Sequence, residues 1–91
     1  MTTHPTAAEE IPLLERLRAL QLPPPAQRRE IRKAARASLS AVAQELNVDA
    51  MTVSRWERGL ARPRDRHVVA YRRLLEGLAD LVKESAQKPK K

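Results

Sequence analysis

A chain of 91 residues with no cysteine, two glycines and only two aromatic side chains has room for one domain. It has no disulfide, thiolate metal site or thiol nucleophile, no glycine-rich phosphate loop, and in Trp56 and Tyr71 too few aromatics to stack RNA bases. Eighteen Lys and Arg against eleven Asp and Glu give a formal charge of +7, which points to an anionic partner, nucleic acid or a membrane surface.

The placement of the charge narrows this. Residues 1–27 sum to −1, residues 28–73 to +7 and residues 74–91 to +1, so the excess lies in the central window and not in a basic tail. Thirteen of the eighteen bases are Arg, the side chain suited to planar, bidentate pairing. His4 and His67 have no spaced partners for a metal cage or a Ser-His-Asp triad. No apolar run approaches the roughly 18 residues of a membrane span, and no apolar segment follows an N-terminal positive cluster. The expected location is cytoplasmic, associated with the nucleoid.

Residues 1–8 are small and polar and are expected to form a mobile terminus. A first helix is predicted over 9–21, with Glu9 and Glu10 at its positive end and Pro12 in the first turn. Ile11, Leu14, Leu17 and Leu20, or Leu13, Leu17 and Leu20, recur at helical spacing, and Pro23-Pro24-Pro25 stops the pattern. The helix is amphipathic but not strongly basic, which argues against membrane docking. Its stripe must cover the core or a partner.

A second helix is predicted over 26–36, with Pro25 suited to its start and Ile31, Ala34 and Ala35 facing in. Ala37 breaks it. Ser38 is a good N-cap for a third helix, 38–46, with Val42, Ala43 and Leu46 inward. Asn47 tolerates the left-handed conformation. Asp49 caps a fourth helix, 50–58, with Val53 and Trp56 inward, and Gly59 suits the position after its end. Residues 60–64 form a loop. The last helix, 65–85, carries Val68, Tyr71, Leu75, Leu78 and Val82 as a seam, which Gly77 weakens by about 1 kcal/mol relative to Ala. No strand pattern occurs, so the fold class is all-α, a compact helical bundle.

Leu39 to Arg58 has the spacing of a helix-turn-helix. Ala43 is small where two short helices must cross, Asn47 stands in the turn, and Val53 ties down the second helix. Val42, Leu46, Val48 and Trp56 complete the inner set. Arg32 through Arg64 resembles the XRE-type branch of the Cro/CI phage-repressor-like DNA-binding proteins. The residues that carry the likeness are Ser38, Ala43, Leu46, Asn47-Val48, the string Thr52 to Gly59 (TVSRWERG) and Arg62-Pro63. It covers roughly residues 26–76, flanked by residues 1–8, an amphipathic helix and Pro linker over 9–25, and a helical extension with a basic tail over 77–91.

The resemblance implies that residues 50–58 are a recognition helix in the major groove. Ala50, Met51, Ser54 and Arg55 would read bases. Ser38, Ser40, Arg36, Thr52, Arg58, Arg62 and Arg64 would hold phosphates. Arg55 suits guanine O6 and N7, and Ala50 and Met51 suit thymine methyl groups. Asp49 could accept from cytosine N4, but its capping role is preferred. Many relatives carry Gln at the first position of the third helix, where this chain has Leu39; that phosphate contact would fall to Ser38, Ser40 or a backbone N–H.

Other residues read as structure. Arg32 and Glu57 are expected to form an internal ion pair, and Trp56 and Tyr71 to sit in the core or seam. His67, Arg72 and Arg73 are expected to be solvated. Arg28, Arg29, Lys33 and Arg36 form either an ordinary solvated face or a phosphate-facing one. The expected function is a sequence-specific regulator of transcription on double-stranded DNA, a repressor of phage or mobile-element type. The alternative is an antitoxin-like DNA-binding protein whose N-terminal helix holds a partner protein. No enzyme constellation, cofactor or small-molecule ligand is implied. A homodimer through the 68/71/75/78/82 seam or the first helix would match a palindromic site, although the same stripes could close a monomer's core.

Overall fold

Local sequence sets most of the helix ends in the computed structural model, which describes residues 12–87. Five helices and no strand occur among them: α1 (Pro12–Ala19), α2 (Pro25–Ala34), α3 (Leu39–Leu46), α4 (Ala50–Glu57) and α5 (Asp65–Gln87). The all-α helical bundle with a helix-turn-helix is therefore the observed architecture. Residues 1–8, and Glu9 to Ile11 of the expected first helix, lie outside the described residues.

The Ser38 hydroxyl accepts the Ala41 N–H at 2.9 Å and starts α3. The Asp49 carboxylate accepts the Thr52 N–H at 2.8 Å and starts α4. Each cap satisfies a donor that the first turn leaves open. Pro25 opens α2, where its missing N–H removes nothing.

Three helices end alike. Val48 N–H reaches back to Ala43 O at 2.9 Å, Ala37 N–H to Arg32 O at 3.1 Å and Leu60 N–H to Arg55 O at 2.9 Å. In each case the residue before the donor is left-handed: Asn47 at φ 60°, Arg36 at φ 62° and Gly59 at φ 73°. This is the 6→1 closure that ends helices where the chain must turn sharply. Arg36 corrects the expected boundary: α2 stops at Ala34, and residue 36 is the turn residue itself. α1 stops at Ala19, where Leu20 N–H bonds back to Arg16 and Leu17. α5 passes Gly77 without a break.

The core is built from the inner faces of the last three helices. Val42, Ala43 and Leu46 of α3 meet Val53 and Trp56 of α4, and Tyr71 and Leu75 of α5 close the cluster, with Val68 also buried. α2 lies across α4 and α5. The expected seam is thus split: Val68, Tyr71 and Leu75 are buried within this one chain, while Leu78 and Val82 are only half-buried. A homodimer cannot use the first three without opening the monomer. α1 touches α5 but buries no residue, and Leu13, Leu14 and Leu17 remain exposed. No helix among the described residues is long and apolar enough to cross a membrane.

Candidate nucleic-acid interface

Behind the outward face of α4 stands a polar frame that fixes its C-terminal end. Glu57 is only 6% exposed. Arg32 of α2 grips it with both arms, Nε to Oε2 at 2.6 Å and Nη2 to Oε1 at 3.0 Å, and its Nη1 donates to Ala37 O at 2.9 Å. The bidentate geometry is the strong form of a charge-assisted pair.

A second arginine joins the frame. Arg28 Nε donates to Pro23 O at 2.7 Å and Nη1 to Trp56 O at 3.1 Å, with the guanidinium 6.0 Å from the Tyr71 ring centre. The solvated or phosphate-facing alternatives do not apply to Arg28: it ties the Pro23–Pro25 corner to the last turn of α4. Burial lowers its pKa below the ordinary arginine value. The available sequence signal was its position one turn before Arg32 on the same helix face.

The aromatics sit beneath. Trp56 lies 5.1 Å from Tyr71 and 5.8 Å from His67, ring centre to ring centre, both tilted. His67 is therefore half-buried against Trp56 rather than a solvated helix residue. The Tyr71 hydroxyl is buried and makes no hydrogen bond. Burial, and secondarily the Glu57 carboxylate, push its pKa up to about 12.

On the opposite side α4 presents Met51, 55% exposed, and Arg55, exposed one turn later. Thr52 and Ser54 are half-buried beside them. Ala50 is also half-buried and packs against the core, so only part of it faces outward. Arg58, Arg62 and Arg64 follow, all exposed. At the start of α3, Arg36, Ser38 and Ser40 are exposed. The Ser38 oxygen is engaged by the Ala41 N–H, which leaves its hydroxyl proton able to donate outward. Leu39 packs half-buried against the core, so the departure from a polar residue there serves the fold. The exposed Asp49 carboxyl titrates below its usual range, chiefly because it accepts the Thr52 N–H.

Among the described residues the ion pairs are Arg32–Glu57 and Arg72–Glu76. Arg55, Arg58, Arg62 and Arg64 make none there. The helix-turn-helix thus offers one short helix with its apolar side locked down and its polar side flanked by arginines that form no ion pair among the described residues. No group of His, Asp and Glu suited to a metal ion occurs among the described residues.

Comparison with protein families finds that residues 29–80 match one described as helix-turn-helix. That span covers more than half of the chain and takes in α2 beyond its first turn, α3, α4 and most of α5, leaving α1 outside. Comparison with curated proteins and with solved structures finds no match.

Proposed function

Because the chain belongs to the XRE-type helix-turn-helix family of DNA-binding transcription regulators, we propose that it is a sequence-specific repressor of phage or mobile-element type, with α4 as the helix that enters the major groove. The observation that carries this reading is the exposure of Met51 and Arg55 on one face of a helix whose other face, Val53 and Trp56, is locked into the core. Arg55 pairs with guanine O6 and N7, a contact worth about 1–3 kcal/mol of discrimination. Met51, one helical turn before it, packs on a thymine methyl. Ser54 and the outer edge of Ala50 complete the base-reading set.

Thr52, Arg58, Arg62 and Arg64 hold the backbone on one side, and Arg36, Ser38 and Ser40 hold it on the other. These contacts position the helix without reading sequence. Repression then follows from occupancy: a domain seated in a promoter's groove blocks its use, with no chemical step.

The test is selection of binding sites from random duplex DNA, repeated with Arg55→Ala. Loss of preference at one base pair, with the others kept, supports the assignment. A uniform loss of affinity would make Arg55 a phosphate contact. With about 6–8 phosphates neutralised, log K should fall against log[salt] with a slope of roughly −5 to −7; a flat response would refute DNA binding through this face.

A second reading draws on α1. Its leucines stand exposed among the described residues, which favours a protein partner, either a second copy on a palindromic site or the cognate protein of an antitoxin-like regulator. Light scattering with and without DNA separates a self-associating chain from one that needs another protein.

A further inference from the structure

We propose that the outer face of α2, through Arg29 and Lys33, forms a second phosphate-binding surface with Arg58, gripping DNA backbone that flanks the groove read by α4. The inference rests on the DNA-binding reading above and extends it to residues on a different helix.

An open cleft of about 470 Å³ lies between α2 and the end of α4, lined by Ala26, Arg29, Glu30, Lys33, Glu57 and Arg58. Arg29, Lys33 and Arg58 are exposed and form no ion pair among the described residues. Of the two acids, Glu57 is already neutralised by Arg32. Glu30 offsets one of the three cations, so the cleft keeps an excess of positive charge.

Spacing adds to charge. Arg29 and Lys33 stand four residues apart, so they share one side of α2 about 6 Å apart along its axis. Two cations on one side of a helix can each meet a different phosphate of the same strand. Arg36 is not part of this row, because it stands beyond the end of α2 in the left-handed turn. On the adjoining face of the same helix, about 100° round, Arg28 and Arg32 turn inward to hold α4. The two faces of α2 therefore use arginine differently, one for the fold and one for a polyanion.

Position selects the polyanion. Arg58 borders the cleft and also begins the Arg58–Arg62–Arg64 series that leaves α4, so a backbone passing the end of α4 reaches the cleft without a gap in positive charge. The lining offers no large apolar group for insertion into a lipid surface, and no aromatic to stack a base. The contact is therefore with backbone and independent of sequence.

The experiment compares wild type with the double variant Arg29→Ala/Lys33→Ala, using Arg73→Ala on α5 as a control for bulk charge. Affinity is measured from 50 to 300 mM salt on the selected duplex and on a random duplex, and binding to vesicles containing an anionic phospholipid is measured alongside. The double variant should melt as wild type, keep the same base preference, and bind both duplexes less tightly by the same factor. Its slope of log K against log[salt] should be shallower by about 1.8, the value for two phosphate contacts, while Arg73→Ala leaves the slope unchanged. An unchanged slope in the double variant overturns the proposal, and so does an equal change in Arg73→Ala. Loss of vesicle binding with an unchanged DNA slope assigns the cleft to lipid and overturns it as well. A wild-type chain with no salt dependence or base preference would instead refute the DNA-binding reading beneath it.

Discussion

Glu57 and Tyr71 are neighbours in the core with opposite debts to their surroundings. The Glu57 carboxylate is satisfied by two guanidinium hydrogen bonds, and Arg32 has little else to replace it. Glu57→Ala leaves a largely buried guanidinium facing a void, a loss of about 3–5 kcal/mol. In a domain of this size each kcal/mol moves the melting midpoint by about 4–8 °C, so calorimetry should show a fall of more than about 10 °C. A variant that melts with wild type would mean that the pair contributes nothing to folding. Tyr71 is the reverse case, because its buried hydroxyl has no partner and an unmade buried hydrogen bond costs about 1–3 kcal/mol. Tyr71→Phe should therefore hold or raise stability at neutral pH. The two chains should part in alkali. The unfolded tyrosine ionises near pH 10, whereas the folded one waits until about 12. Between those values the unfolded state binds fewer protons, so wild-type stability falls as pH rises, by about 1.4 kcal/mol per unit from this group. Urea melts at pH 8, 10 and 11.5 should show a steeper decline for wild type than for Tyr71→Phe. Parallel declines would place the hydroxyl in contact with water.

At the scale of the elements, backbone conformation decides what side-chain pattern leaves open. Gly77 sits in the middle of α5 with ordinary helical neighbours, and a Cβ built there meets nothing within 4 Å. Gly77→Ala should stabilise the domain by about 1 kcal/mol, read as a raised midpoint with unchanged helix content. No gain would mean that the helix is already broken there in solution. The sequence made this helix visible because its apolar residues keep a 3.6-residue period. It made α3 and α4 visible because Ser38, Asn47, Asp49 and Gly59 are the residue types that caps and left-handed turns prefer. It concealed the end of α2, because Arg36 is left-handed and nothing in an arginine announces that. The inward turn of Arg28 was hidden for a similar reason. A cation among cations reads as surface until the carbonyls of Pro23 and Trp56 and the ring of Tyr71 are seen around it. The outer half of the candidate site was easier, since Met51 and Arg55 follow directly once Val53 and Trp56 are fixed inward. Ala50 was read as outward, but a methyl at the first turn of α4 also fills space beside the core.

Over the whole molecule the basic excess and the exposed leucines of α1 belong to different parts, while Met51 and Leu60 are the exposed apolar side chains within the basic window. The charge is carried by residues 28–73, whereas Leu13, Leu14 and Leu17 of α1 and Leu81 of α5 stand 51%, 41%, 48% and 56% exposed. Around those leucines Glu15, Arg16, Arg18, Asp80, Lys83 and Glu84 mix both signs, so a second copy can approach there without the repulsion it would meet at the arginines. A helix of eight residues that buries nothing is marginal in water by itself, which makes α1 a segment that gains from being covered. Four leucines supply far less than the roughly 800 Å² per partner of a standard interface, so self-association should be weak in free solution and strengthened when DNA holds two copies side by side. The paired change Leu13→Asp/Leu17→Asp tests this. Because α1 covers no core residue, the melting midpoint should stay within the small range of ordinary surface substitutions, about 0.5 kcal/mol. Affinity for a duplex with one half-site should be unchanged. Cooperative binding to two inverted half-sites should disappear, and the concentration-dependent rise in mass seen by light scattering should go with it. If the wild-type chain keeps the mass of one copy at every concentration and fills two half-sites independently, α1 does not join copies, and its leucines belong to a different protein, as in the antitoxin-like reading.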